Sequence, residues 1–574
     1  MNIPEFFMCG INGIVSTDTQ TFQVPENCLK PMFSPDGSKA VLLDGRIYGF
    51  QEICRNLDYP FRTQSEVEVI LALYVKYNKD MLKHLPGMFA FALWDDRNKT
   101  LFCARDRFGE KPFFYAKLND GSFIFSSEIK TILASGKITP KLNKTSLSHY
   151  LQHLYVPPNQ TIYENIHCLP PAHAITFING KPFVWRYWDL PEPVETWTLS
   201  NAVERFRELL ANAVQNQLTA DVEVGAFLSG GLDSSTIVYE AAKQKSNLKT
   251  VAFGFSCGLD ERSYARSVAT LYSTNHMEFN ETELDIPALL KQMVTVYDEP
   301  FADSSNIPTY LLAQKAAEYV KVILTGDGGD ELLAGYEGWY QPLLRRQREH
   351  SKKRRNRFIY AALCACSRVN PVASARLNTA IAHYRDNLYF PGVAGAHHSN
   401  GFFPSEELTA CDLPVVSQLL PLNLSNTVDD ALRMDILTYM PGDILVKTDR
   451  AARANGLELR APFLDVNLAS FLISLPLSLK MSETESKILL RAAYADKWPV
   501  EIRRRSKQGF GAPVAAWLQQ SVMRELCNDA FCTKRRIHNF FPRDFINKYA
   551  CSGNYQTWIL LVLSLWLEEY GGSI

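Results

Sequence analysis

The sequence carries almost no surplus charge: 60 Lys+Arg stand against 61 Asp+Glu, a net charge of −1. No long-range field recruits nucleic acid or an anionic membrane, so any polyanion has to be held by local geometry. Cysteine is sparse and scattered, 12 in 574 residues with no C-x-x-C pair. That excludes a disulfide framework or a zinc cage and reads as reduced cytosolic thiols. An apolar run long enough to span a bilayer is also missing. The longest, Trp558 to Leu567, is interrupted by Ser564 and is expected as a buried C-terminal helix. Met1 to Met8 holds Glu5 and no basic residue, so it does not read as a secretory signal. Internal repeats and low-complexity tracts are lacking. The basic stretch Arg345 to Arg357 reads as a solvated helix or loop. The expectation is a cytoplasmic protein with no membrane or nucleic-acid partner.

What is present is the material of a large soluble enzyme. Hydrophobic residues make up 46% and charged residues 21%, over a length that needs two or three cores. From Cys9 to about Leu190 short alternating runs (Ala40 to Leu43, Met88 to Trp94, Leu101 to Ala104, Phe123 to Ser126) predict a β-rich half, with a hairpin turn across Trp94 to Thr100. Tyr187 to Pro193 breaks regular structure, and Ser200 is expected to cap an amphipathic helix bearing Val203, Phe206, Leu209 and Leu210. Beyond Asp221 strands alternate with helices: Val222 to Leu228, Thr236 to Ala242, Thr250 to Phe255, then a helix near Leu311 to Tyr319 before a strand at Lys321 to Leu324. That alternation predicts a parallel sheet covered on both faces, followed by mostly helical chain.

Two loops carry the chemistry. Leu228-Ser229-Gly230-Gly231-Leu232-Asp233-Ser234-Ser235 lies where a buried strand gives way to a helix. Paired glycines let backbone amides approach an anion, and the helix N-terminus adds partial positive charge, so the loop is suited to phosphate. It lacks the Gly-Lys-Ser/Thr ending of a mononucleotide P-loop, and G-x-G-x-x-G is absent. The second loop, Thr325-Gly326-Asp327-Gly328-Gly329-Asp330-Glu331, crowds three acids among three glycines. Such crowding calls for a cation, and Mg²⁺ bridging carboxylate and phosphate is the natural choice. Both loops end strands of one parallel sheet, where open α/β folds bind ligands, so they are expected to face one crevice.

These residues bring a family into view. The Ser229-to-Ser234 loop is similar to that of ATP pyrophosphatases. With Tyr297-Asp-Glu-Pro-Phe-Ala-Asp-Ser304, Lys447-Thr-Asp-Arg450, Leu457-Glu-Leu-Arg-Ala-Pro-Phe-Leu-Asp465 and Arg505-Ser-Lys-Gln-Gly-Phe510, the chain resembles glutamine-dependent asparagine synthetases of the bacterial B type. The resemblance implies an N-terminal αββα N-terminal-nucleophile hydrolase-like domain over 9–192. It also implies a doubly wound parallel-sheet ATP-pyrophosphatase domain with helical extensions over 198–570. The second domain would adenylate a carboxylate, typically the aspartate side chain, and an amine would displace AMP. Leu228, Ser229, Gly230, Gly231, Ser234, Ser235, Phe253, Thr325 and Gly326 would contact ATP, and Asp233 with Asp330 would hold Mg²⁺. Asp327 would accept a proton, Lys507 would neutralise phosphate charge, and a homodimer is common among such proteins. Related enzymes act instead on sugar carboxylates or close β-lactams and peptides, and a non-catalytic ATP-binding paralogue is a further alternative.

The N-terminal half resembles class II glutamine amidotransferases through Cys9-Gly10-Ile11, Phe61 to Ser65, Leu85 to Trp94 and Ala104 to Gly109. There Cys9 would attack glutamine with its own α-amine as base, which requires either that translation begin at Met8 with the Met removed or that the leader be trimmed; otherwise the site is dead. The pocket departs from the family. Asp44-Gly45-Arg46 replaces Asn-Gly-Glu, Glu66 replaces Asp, and an Arg-Gly-Pro-Asp motif with its carboxylate-gripping arginine is missing. An ionised Asp44 repels an oxyanion and Arg46 repels an ammonium, so ammonia or an amine is expected to serve at least as well as glutamine. Arg453 stands where an apolar Met is usual.

Overall fold

The computed structural model describes residues 10–17, 20–25, 29–255, 260–281, 284–351, 359–364, 401–414, 427–503, 505, 509, 511–550 and 552–571. Strands of the N-terminal half are β1 (Asn12–Ser16), β2 (Thr21–Gln23), β3 (Met32–Phe33), β4 (Lys39–Arg46), β5 (Met88–Asp95), β6 (Thr100–Arg105), β7 (Phe114–Lys117), β8 (Phe123–Ser126), β9 (His167–Cys168), β10 (His173–Ile178) and β11 (Lys181–Arg186). They pair into two sheets, β2-β1-β8-β7-β9 and β11-β10-β6-β5-β4-β3.

Side-chain alternation explains the layering. On β5, Phe89, Phe91 and Leu93 point to the helix Glu66–Tyr77, while Ala90, Ala92 and Trp94 point at the other sheet, meeting Phe113, Phe123 and Phe125. Ile124 faces the opposite way, toward the helices Ile129–Ala134 and Lys144–His153. The result is the αββα sandwich that the resemblance implied. The β5–β6 hairpin turns where the acid and amide residues predict it: Asp95 Oδ1 accepts from the amides of Arg97 (3.1 Å) and Asn98 (3.2 Å).

In the C-terminal half, β12 (Val224–Phe227), β13 (Lys249–Phe255), β14 (Asn275–Glu281), β15 (Val322–Leu324) and β16 (Glu458–Arg460) form a sheet ordered β14-β13-β12-β15-β16, with every pair parallel. Val224, Ala226, Val322 and Leu324 pack on one face under the helices Leu199–Leu218 and Leu232–Ala242, and Val251, Phe253 and Ile323 on the other under Ile286–Tyr297 and Asn306–Ala317. The helix expected to start from Ser200 is capped instead by Thr198, whose hydroxyl accepts from the Asn201 amide (3.3 Å). Ser200 sits inside the first turn, because a cap must precede the first helical residue while its oxygen meets the third amide.

The apolar run Trp558 to Leu567 lies within the helix Tyr555–Tyr570 and is almost wholly buried against both halves. Tyr150 of the N-terminal half donates to the Ile559 carbonyl (2.8 Å), and Trp566 donates to that of Asp298 (2.9 Å). Among the described residues no helix is long and apolar enough to cross a membrane. Of the basic stretch, Arg345 to Ser351 ends the helix Glu337–Ser351, and the rest lies outside the described residues.

Candidate active site

A cavity of about 450 Å³ opens at the carboxyl ends of β12, β13 and β15, the edge at which a parallel sheet presents its loops. Its first wall is the loop after β12. Gly230 has φ +69°, and a Cβ there would stand 2.5 Å from that of Tyr264, so only glycine fits. Ser229 Oγ accepts from the Gly231 amide (3.2 Å) and meets Ser234 Oγ at 3.1 Å, fixing the turn as the helix Leu232–Ala242 begins. Leu228, Ser229, Gly231, Asp233, Ser234, Phe253, Thr325 and Gly326 line the cavity. Gly230 shapes the turn without lining it. Ser235 is fully buried behind the first turn of the helix, a correction to its expected nucleotide contact.

The acid-rich loop forms the facing wall, and the two loops touch. A Cβ at Gly326 would lie 2.9 Å from that of Asp233, and one at Gly329 would lie 2.7 Å from the Asp233 carboxyl carbon. The glycines of the second loop thus seat the carboxylate of the first. Asp233 and Asp330 converge on one ammonium, that of Lys487, whose Nζ pairs with Asp233 Oδ2 and lies 2.5 Å from Asp330 Oδ1. The two carboxylates are therefore close enough to share a single cation. Sequence reasoning missed Lys487. Its signal is conformational: it is a non-glycine residue at φ 52°, ψ 38°, opening the helix Ile488–Tyr494 from the left-handed region. Lys507, the lysine singled out from sequence, lies outside the described residues, as does Cys9.

Other charges in the cleft are satisfied locally. Tyr336 donates to Glu331 (2.5 Å), whose carboxyl is pushed up to about 7 by burial and by Asp330 beside it. Lys447 pairs with Asp303 (2.9 Å); the ammonium holds Asp303 below the usual carboxylate range against the opposing effect of burial. Asp443, buried next to Asp303, is raised well above that range by desolvation and by its neighbour. Arg505 pairs with Glu261, donates to the Ser229 carbonyl (3.2 Å) and stacks over Tyr264 at 4.4 Å. Asp327 lines the cavity with its amide held by Thr325 (3.3 Å).

The positions that the resemblance assigns to a glutamine pocket do not line this cleft; Asp44, Gly45 and Arg46 end β4 and Glu66 opens the helix Glu66–Tyr77. Gly45 has φ +128°, and a Cβ there would fall 2.1 Å from the Met88 carbonyl oxygen, which makes glycine obligatory. Asp44 accepts from Ser127 Oγ (2.7 Å) and pairs with Arg453 (2.9 Å). Arg46 pairs with Glu66 (2.5 Å) and Glu458 (2.7 Å). Residues that sequence comparison sets apart as departures therefore pair with one another.

Two families match the sequence. Asparagine synthase covers residues 205–568, and the Glutamine amidotransferase domain covers residues 21–188. "Asparagine synthetase (glutamine-hydrolyzing) 1" of Bacillus subtilis is 27% identical, spanning 94% of this chain and 87% of its own. A "Putative asparagine synthetase (glutamine-hydrolyzing)" of Mycobacterium bovis is 30% identical over 93% and 85%. "Amidase chry2" of Gibberella zeae is 26% identical over 85% and 79%.

Proposed function

The chain belongs to the asparagine synthase family, ATP-dependent ligases that join carbon to nitrogen, and on that premise we propose that its cleft adenylates the side-chain carboxylate of aspartate and passes the acyl group to ammonia. The observation that carries this reading is the meeting of Asp233, Asp330 and Lys487 beside the Ser229-to-Ser234 turn.

Bound ATP would lay its phosphates along the Ser229, Gly231 and Ser234 turn, which lines the cavity where the helix Leu232–Ala242 begins. The oxygen-only pair Asp233 and Asp330 suits Mg²⁺, which would supply charge neutralisation to the departing pyrophosphate. Lys487, anchored between both acids, would meet the negative charge that develops as the α-phosphorus bond to pyrophosphate breaks. An oxygen of the aspartate carboxylate forms the new bond to that phosphorus. Ammonia then attacks the acyl carbon, AMP leaves with the bonding electron pair, and the proton shed by nitrogen passes to Asp327 at the cavity wall.

ATP–pyrophosphate exchange tests the first step without requiring a nitrogen donor. Aspartate should promote exchange, and Asp233→Ala should abolish it. If no carboxylate promotes exchange and Asp233→Ala changes nothing, the chain is an ATP-binding paralogue instead. If another carboxylate promotes exchange and aspartate does not, the acceptor assignment falls while the ligase chemistry stands.

A further inference from the structure

The positions that the resemblance assigns to a glutamine pocket are engaged by charges that belong to the other half of the molecule. Arg453 leaves the helix Leu445–Ala454 about one and a half turns beyond Lys447 and Thr448, which line the cleft, and its guanidinium enters the N-terminal half to pair with Asp44 at 2.9 Å. Both side chains are only 11% exposed. Asp449 braces Arg453 (3.4 Å) and in turn takes Lys111 of the N-terminal half (2.7 Å). The guanidinium lies so close to Gly10 that a Cβ there would stand 3.1 Å from Nη1. Two residues along β4, Arg46 is gripped by Glu66 from its own half and by Glu458 of β16 from the other. Glu66 also accepts from the Ile47 amide (2.6 Å).

Glutamine is a zwitterion, so its ammonium needs a carboxylate and its amide oxygen needs a donor that carries no neighbouring negative charge. At this pocket Asp44 and Glu66 each already hold an arginine. Admitting glutamine at Asp44 means extracting one partner of its largely buried pair with Arg453 and leaving the other uncompensated, which is strongly unfavourable. We propose that Arg453 is a specificity-determining residue: with Asp44 it plugs the glutamine pocket from the synthetase side, and the ligase takes free ammonia as its nitrogen donor. This rests on the ligase reading above, and it makes the departures at positions 44, 46 and 453 a single compensated device.

The test uses the full chain. Equilibrium dialysis with radiolabelled L-glutamine compares wild type, D44N/R453M, which removes one pair without stranding a charge, and D44N/R46M/R453M, which also frees Glu66. Incorporation of ¹⁵N from ammonium and from glutamine is measured alongside, and thermal melting confirms folding. Wild type should favour ammonium by at least about tenfold, and the folded variants should bind glutamine at least about tenfold more tightly than wild type, with the triple variant ahead. The double variant decides the matter if the triple does not fold. Wild type binding glutamine as tightly as the variants, or folded variants gaining nothing, overturns the proposal. Aspartate-promoted ATP–pyrophosphate exchange in wild type is independent of nitrogen donor. Absence of exchange with every carboxylate sinks the ligase reading, whereas exchange with no gain in glutamine binding sinks the plug alone.

Discussion

Lys487 Nζ stands 2.5 Å from Asp330 Oδ1 and simultaneously pairs with Asp233, joining the two loops that the sequence placed on separate strands. The ammonium balances two carboxylates that would otherwise repel one another, and it does so from a left-handed backbone position that costs conformational energy. That conformation and that pairing are the grounds on which Lys487 is placed in the proposed reaction centre.

Replacing Lys487 by Met should therefore lower aspartate-promoted exchange by about two orders of magnitude, the scale typical of losing one preorganised charge-stabilising donor. KM for ATP should change less than kcat, since the lysine acts on charge that grows as the bond breaks. Steady-state exchange kinetics across a range of ATP concentrations separate the two. Unaltered kcat would remove Lys487 from the site.

Gly335 offers a steric counterpart. A Cβ there would lie 2.0 Å from Asp330 Oδ1 and 2.3 Å from Lys487 Cε. Gly335→Ala should push both groups out of register and abolish exchange. Gly338, whose Cβ position is open, serves as the control. Gly338→Ala in the helix Glu337–Ser351 should keep activity and stabilise the fold by about 0.5–1 kcal/mol. Thermal melts and exchange assays on both variants make the comparison.

Lys111 and Asp449 form an ion pair at 2.7 Å with side chains 9% and 11% exposed. Asp449 is held well below the usual carboxylate range because Lys111 and Arg453 outweigh the cost of burial. Lys111→Met strands part of that charge and should lower stability by about 3 kcal/mol, and adding Asp449→Asn should recover much of the loss. Urea titration of the single and double variants gives the coupling. Equal losses in both would show that the pair contributes packing alone.

Glu299 predicts a pH dependence. It faces a cavity of about 50 Å³ and accepts from the Ile162 amide (2.6 Å), while burial pushes its carboxyl up to about 8 from an ordinary 4.5. Between those values the folded protein keeps a proton that the unfolded chain has released, so stability from this group is full below about 4.5 and falls as pH rises to about 8. Glu299→Gln removes the dependence. Its melting temperature relative to wild type should rise from pH 5 to pH 8 and level off above that. A difference that does not vary with pH would place the Glu299 carboxyl in its ordinary range.

Much of the cleft was legible in the sequence because it is built from contiguous loops. Ser229 to Ser234 and Thr325 to Asp330 each carry their glycines, hydroxyls and acids in a row, and strand-helix alternation assigns both loops to one edge of a parallel sheet. Ser235 was misjudged because adjacency in a helix is not adjacency in space: one residue further rotates the side chain by about 100°, from the cleft into the core.

By itself, then, the amino-acid order determined a β-rich N-terminal half, a parallel sheet beyond Asp221 and the two glycine-rich loops, each of which depends on spacing within a few residues. The αββα layering was implied by the family resemblance. Only the tertiary structure decided which lysine serves Asp233 and Asp330, because Lys487 is 254 positions from Asp233 along the chain. It also decided what the unusual Asp44, Arg46 and Arg453 do. Read singly they are charges out of place; folded, Asp44 and Arg453, 409 positions apart, neutralise one another in a largely buried interface. A buried charge acquires its role from its partner, and long-range partners are chosen by the packing of helices and sheets.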